Sequence, residues 1–146
     1  LYASVEERIE MNENNSINSS SSWVQSIFAV TLIVEDLEIT KQFYQKTFGL
    51  PVHFEDANSV VFQFGALLIN LLKVSEANEL MEPAKVATRD AGSRFVFTIP
   101  VDDVDETCVK LAECGVKFLN GPMDRPWGVR TASFMDPAGY IWEIAK

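Results

Sequence analysis

The chain ends in DPAGYIWEIAK, residues 136–146, where one carboxylate, Glu143, stands among apolar residues in what reads as a final strand. Such an acid faces either water at a rim or a cavity, and in a cavity two chemistries are open to it. It can hold a divalent ion beside imidazoles and further carboxylates, or act as a general base if apolar surroundings raise its pKa. Partners for either role are scarce. The single histidine, His53, falls in a predicted second strand and is expected to be a surface or core residue. Cys108 and Cys114 sit on a predicted helix, about 9 Å apart along its axis, too far for a disulfide. Neither belongs to a CxxC pair, so both are expected to be reduced structural thiols of a cytoplasmic protein. Ser19–Ser22 have no acid–base neighbour to make a nucleophile, and no phosphate loop or Ser/His/Asp triad is present.

These groups must be positioned by the segments around them. Residues 12–22, NENNSINSSSS, are polar and low in complexity, so 1–25 read as a flexible extension, with Met11 a candidate natural start. From Trp23 onward the pattern is regular. FAVTLIV (28–34) is a strand, and EDLEITKQFYQKTFG a helix with Asp36 as N-cap and Gly49 past its end. Leu37, Thr40, Phe43, Tyr44 and Phe48 follow helical spacing, so the aromatics are expected in the core. Three strands follow: PVHFE (51–55), SVVFQF (59–64), with Phe62 or Phe64 a candidate to line a cleft, and ALLINLLKV (66–74). After a polar connection over 75–92 the pattern restarts with RFVFTIPV (94–101) and a helix capped by Asp103. Glu106 completes a capping box, and Val104, Cys108, Leu111 and Ala112 share a face. VKFLN (116–120), VRTASFM (129–135) and YIWEIA (140–145) complete a second β-α-β-β-β unit. The two halves align from Val34 to Gly49 and from Val101 to Gly115 with a one-residue gap, so two similar units are expected to pack as a pair around one core.

The charge and hydropathy exclude some partners. A formal net charge of −9 argues against nucleic acid. No apolar run nears the roughly 20 residues of a membrane span, and no secretory pattern opens the chain. An apolar fraction of 47% suits one domain with a substantial interior.

VTLIVEDLEITKQFYQKTFGL, IPVDDVDETCVKLAECGV and RPWGVRTASFMDPAGYIWEI, in this order and spacing, resemble the vicinal oxygen chelate superfamily, which includes glyoxalase I, extradiol dioxygenases and the fosfomycin and bleomycin resistance proteins. The pattern is most similar to the bleomycin-resistance type. The resemblance implies an α+β fold of two tandem β-α-β-β-β modules, curved mixed sheets around a cleft, within a single domain over 26–146. Module one would cover 27–74, the linker 75–92 and module two 93–146. Metal-dependent members of the family use side chains of the first and fourth strands of each module. Those positions fall here on Ala29, Asn70, Val96 and Glu143. Ala29 and Val96 have no donor atom and Asn70 only a neutral oxygen, a poor set for a transition metal.

Strand alternation places Thr31 with Ala29, Leu72 with Asn70, Thr98 with Val96, and Ile141 and Ala145 with Glu143, and the resemblance makes this the cleft face. The resemblance also makes Trp127, in a PWG segment, a stacking or lid residue, the alternative being a cap on the core. Arg130 becomes a partner for Glu143 or for an anionic ligand group, the alternative being a solvent-facing cation. The expected ligand contacts are Thr31, Asn70, Thr98, Trp127, Arg130 and Glu143. The leading expectation is a metal-independent small-molecule binding protein with no cofactor, a homodimer by analogy, holding an apolar or partly aromatic ligand. The alternatives are a metal-dependent glyoxalase-like lyase, isomerase or dioxygenase using Glu143, and a dimeric interaction module with a filled cleft.

Overall fold

Two modules follow one another in the computed structural model, which describes residues 22–146. The first contains β1 (Ala29–Val34), α1 (Leu37–Phe48), β2 (Phe54–Glu55), β3 (Ser59–Phe64) and β4 (Leu67–Lys73). A connection carrying the short helix α2 (Ala77–Met81) leads to β5 (Val96–Pro100), α3 (Val104–Glu113), β6 (Phe118–Asp124), β7 (Arg130–Met135) and β8 (Ile141–Ala145). Each module builds its own four-stranded mixed sheet, in the orders β1-β4-β3-β2 and β5-β8-β7-β6. β1 runs parallel to β4 and β5 parallel to β8, while the other neighbours are antiparallel. This is the α+β tandem arrangement that the repeat implies. The expected extension and Met11 lie mostly outside the described residues; of the remainder, Trp23 and Val24 are exposed.

Local chemistry explains the helices. Asp36 Oδ1 accepts the Ile39 N–H at 3.0 Å, and Gly49 takes the left-handed conformation (φ 64°) that closes α1. Asp103 Oδ1 accepts the Glu106 N–H at 2.9 Å, but the Glu106 carboxylate is turned toward Lys110 Nζ at 3.0 Å, so half of the expected capping box is formed. Val104, Cys108 and Leu111 are buried under α3, whereas Ala112 is exposed and leaves the expected apolar face.

Two strands differ from expectation. Of residues 51–55 only Phe54 and Glu55 form the strand paired with β3; His53 donates its backbone N–H to the Val61 carbonyl at 2.8 Å, and it is exposed. β6 is longer than its apolar residues suggest. Register shifts carry its pairing with β7 through Gly121 and Pro122 to Asp124, leaving only a tight turn over Arg125–Gly128.

The core lies between the two sheets and is joined by α1. Tyr44 packs on Phe62 and Phe64 of one sheet and on Trp142 of the other, with ring centroids 5.5, 6.4 and 5.8 Å away. Phe48 meets Trp142 at 4.7 Å and Phe43 meets Phe134 at 6.4 Å. Phe62 and Phe64 therefore both serve this interior, and neither lines a cleft. Two polar links lock the modules together. The Tyr44 hydroxyl donates to Asp136 Oδ2 at 2.7 Å, and Asp136 Oδ1 accepts the N–H groups of Ala138 and Tyr140 at 3.0 and 2.9 Å. The Tyr140 hydroxyl both accepts the Ile33 N–H and donates to the Ile33 carbonyl, each at 2.9 Å.

That second link falls on an open sheet edge. β1 and β5 end their sheets, and the Leu68-to-Phe28 and Val101-to-Ala145 backbone bonds fix which residues face inward. By alternation Ala29, Thr31 and Ile33 of β1, and Val96, Thr98 and Pro100 of β5, turn their backbone groups outward. The outward N–H of Ile33 is satisfied by Tyr140, while Pro100, its counterpart 67 residues on, has no N–H to satisfy.

Candidate functional site

The first and last strands of each sheet bring the expected polar residues together in pairs. Thr31 lies opposite Asn70, whose Nδ2 donates to Thr31 Oγ1 at 3.3 Å. Thr98 lies opposite Glu143 and donates its hydroxyl to Glu143 Oε1 at 3.0 Å. The pairs are equivalent, but their surroundings differ. Asn70 is only 3% exposed and its Oδ1 has no hydrogen-bond partner, whereas Thr98 is exposed and Glu143 half-buried. The next strand places Val61 beside Asn70 and Ser133 beside Glu143.

The donor set does not fit a divalent metal. Ala29 and Val96 face Leu68 and Ile141 in the registers, so each pair adds only hydrocarbon where a ligand would be needed. Among the described residues no three His, Cys, Asp or Glu side chains come together as a metal-holding group. Glu143 has a threonine hydroxyl as its partner, and no chemical step through a metal follows from these residues.

Arg130 is not placed as expected. Its guanidinium makes a two-pronged pair with Asp105 of α3, at 2.7 and 2.8 Å, and a third bond to Asp124 at 3.1 Å. It therefore pins β7 to α3 and to β6 and does not reach Glu143 as a partner. Arg130 holds the Asp105 carboxyl below the usual aspartate range. Trp127 is 71% exposed at the tip of the β6–β7 hairpin, so it does not cap the core. Arg125 lies 5.9 Å from its ring centroid, and is itself held by Thr131 Oγ1 at 2.8 Å and Asn120 Oδ1 at 2.7 Å. Trp127 joins neither polar pair.

Two hollows adjoin the Thr31–Asn70 pair. The larger, about 580 Å³, lies between the β1 edge, the linker and the β7–β8 turn. Its wall is mainly apolar, with Val30, Ile33, Leu80, Met81, Val86 and Phe95, and carries the charges of Glu35, Arg89 and Arg94 and the hydroxyls of Thr31, Thr88, Ser93 and Tyr140 as polar points. Its size is in the range of small-molecule sites. The smaller, about 260 Å³, has Asn70, Leu72, Asn58, Ser59 and Leu80 in its wall with the carboxylates of Asp56, Glu76 and Glu79. Leu80 borders both. Asp56 Oδ1 accepts the N–H groups of Asn58 and Ser59, at 2.8 and 2.9 Å, which keeps its carboxyl below the usual range.

Thr31 and Asn70 thus each border a hollow, and beside them stand Tyr140, Arg94, Glu76, Glu79 and Leu80, which were not foreseen. Four of those five lie in or beside the linker, where no periodicity marks a wall; Tyr140 shows only as an aromatic after a turn.

Comparison with known proteins agrees with this architecture. A model of the Glyoxalase/Bleomycin resistance protein/Dioxygenase superfamily matches residues 26–144. The uncharacterized protein YraH of Bacillus subtilis is 34% identical over 124 residues, covering 82% of this chain and 97% of that protein. A glyoxalase-related enzyme from Fulvimarina pelagi superposes with a TM-score of 0.73 at 25% identity, over 84% of this chain and 88% of its own. A glyoxalase/bleomycin resistance protein/dioxygenase from Nocardioides reaches a TM-score of 0.75 at 20% identity, over 96% and 91%. With modules, register and family model in agreement, the chain belongs to the glyoxalase/bleomycin resistance protein/dioxygenase superfamily.

Proposed function

We propose that the protein binds a small apolar or partly aromatic molecule without a metal, in the large hollow beside β1. The observation that carries this reading is the hollow itself: about 580 Å³, walled mainly by hydrocarbon, with a few polar groups to orient a guest. The donor-poor residues Ala29, Val96 and Asn70 support the metal-free part. Sequestration, not turnover, is the function, and free Cys108 and Cys114 suit a reducing cytoplasm.

A thermal-shift screen of aromatic and amphipathic compounds tests it. A ligand at roughly a hundredfold excess over its Kd should add about 2.7 kcal/mol, several degrees in Tm. Ala87→Trp, which fills the hollow from the exposed linker, should remove the shift. Stoichiometric zinc, nickel, manganese or iron in purified protein, lost in Glu143→Ala, would overturn the reading in favour of a metal-dependent lyase or dioxygenase.

The protein acts as a homodimer in this reading. Val96 at the β5 edge of module two, and Leu119, Met123 and Trp127 on the β6 side, are exposed apolar side chains that a second copy can cover. Light scattering should give the mass of two chains; a single-chain mass over the micromolar range would remove the dimer.

A further inference from the structure

We infer that the guest of the large hollow carries a hydroxyl group, which sits astride the backbone N–H and C=O of Thr31 as the Tyr140 hydroxyl sits astride those of Ile33. This rests on the reading of the large hollow as a ligand seat and adds the chemical class of the guest. Val30, Thr31, Leu32 and Ile33 all line that hollow, although their side chains alternate between the two faces of the sheet. Leu32 is only 1% exposed and belongs to the core. A space that meets four consecutive residues lies against the edge of the strand, where the main chain is presented. The outward groups there belong to Ala29, Thr31 and Ile33. Ala29 is not part of the wall, and Ile33 is already met by Tyr140. Thr31 is in the wall, its side chain is turned to Asn70, and nothing among the described residues meets its backbone N–H or C=O.

Ile33 shows what such a residue accepts. One oxygen lies 2.9 Å from both its nitrogen and its carbonyl oxygen, so the two groups converge on a point that a donor-and-acceptor atom can fill. Thr31 stands two residues back on the same edge, about 6.7 Å away, with the same orientation. A guest that covers this edge excludes water from it, and a hydrocarbon guest would leave both groups unmet. An ether or ketone meets only the N–H, and an ammonium only the C=O. A planar trans amide points its N–H and C=O in opposite directions, so it too meets only one of the pair. A hydroxyl meets both. The rest of the guest is received by Val30, Met81, Val86 and Phe95, the last with its ring 5.9 Å from that of Tyr140.

Isothermal titration calorimetry with 4-phenylbutanol, its methyl ether and butylbenzene separates hydroxyl from hydrocarbon. In an apolar seat without partners the alcohol binds weakest of the three, because its hydroxyl loses water on entry. With Thr31 as its partner the alcohol should instead bind about tenfold tighter than either of the others. Amide NMR locates the contact. The alcohol should shift the Thr31 amide proton more than those of Leu32 and Ile33, whose bonds are already made. Ala87→Trp should abolish both the binding and the shift. Equal or weaker binding of the alcohol overturns the hydroxyl and leaves the apolar seat standing. Tighter binding that leaves the Thr31 amide unmoved, or that survives Ala87→Trp, also overturns it. If none of the three compounds binds, both the hydroxyl and the seat fail.

Discussion

Gly121→Ala should leave little folded protein, the largest effect expected of any conservative change in this chain. Gly121 has a φ of +84° within the bulged part of β6, a conformation that alanine adopts only under strain. A methyl there would also run into the Thr131 carbonyl oxygen, and would lie 2.7 Å from Ala132 Cα. Both obstacles belong to the backbone of β7, which cannot move aside without breaking its pairing with β8. Strain and overpacking each cost about 1–3 kcal/mol, and together they remove much of a typical domain's ~5–15 kcal/mol. Gly128→Ala is the control, since its Cβ meets open space at a similarly positive φ of +91°. It should cost only about 1–3 kcal/mol by backbone strain. Soluble yield and urea unfolding measure both. A wild-type midpoint for Gly121→Ala would contradict the geometry of the bulge.

Asp136→Ala is the second large effect, with an expected loss of about 3–5 kcal/mol. The carboxylate is 2% exposed, and its removal strands the Tyr44 hydroxyl and two backbone N–H groups at once. Asp136→Asn retains an acceptor oxygen for both amides and should lose only about 1 kcal/mol. A pH series separates charge from hydrogen bonding. Burial pushes the Asp136 carboxyl above its ordinary value, against the pull of the Tyr44 hydroxyl and the backbone amides. A raised folded pKa favours folding fully below the unfolded value, and that contribution is lost as pH rises through the folded one. The stability of the native chain relative to Asp136→Asn should therefore be greatest in acid and shrink toward neutrality. Asp56 and Asp105, both held low, behave in the opposite sense but are common to the two proteins and cancel. A gap that widens with pH would show that the hydrogen bonds, not burial, govern this carboxyl.

The repeat, the caps and most strands were legible because hydrophobic periodicity, Asp36, Asp103 and Gly49 all act locally. What failed depends on contacts distant in sequence. β6 continues past a glycine and a proline that read as a loop, because β7 offers a partner that tolerates a bulge. Asp136 reads as a turn residue in DPAG; only the packing of α1 reveals that Tyr44 buries it. Of the candidate site, the common face of Thr31, Asn70, Thr98 and Glu143 followed from alternation, whereas the pairing of Thr31 with Asn70 and of Thr98 with Glu143 depends on a register between strands distant in sequence. The place of Arg130 did not follow either, since a long side chain chooses among acids that alternation cannot rank, and Asp105 on α3 is the one it meets in two places. The acidic wall was invisible for a different reason: Glu76 and Glu79 belong to a linker whose path no local rule determines.

The hydroxyl of Tyr140 on the edge of β1 bears on how a duplicated chain ages. Two identical halves would begin with the same open border and the same unmet donor. Here one half keeps the donor at Ile33 and the other supplies the phenol, while Pro100 has deleted the donor on its own side. Leu67, which by the β4–β8 correspondence occupies the place of Tyr140 in the first half, could not return the favour. The halves have become lock and key to each other. A chain assembled from two copies of residues 27–74 would carry the vacancy twice and the key not at all.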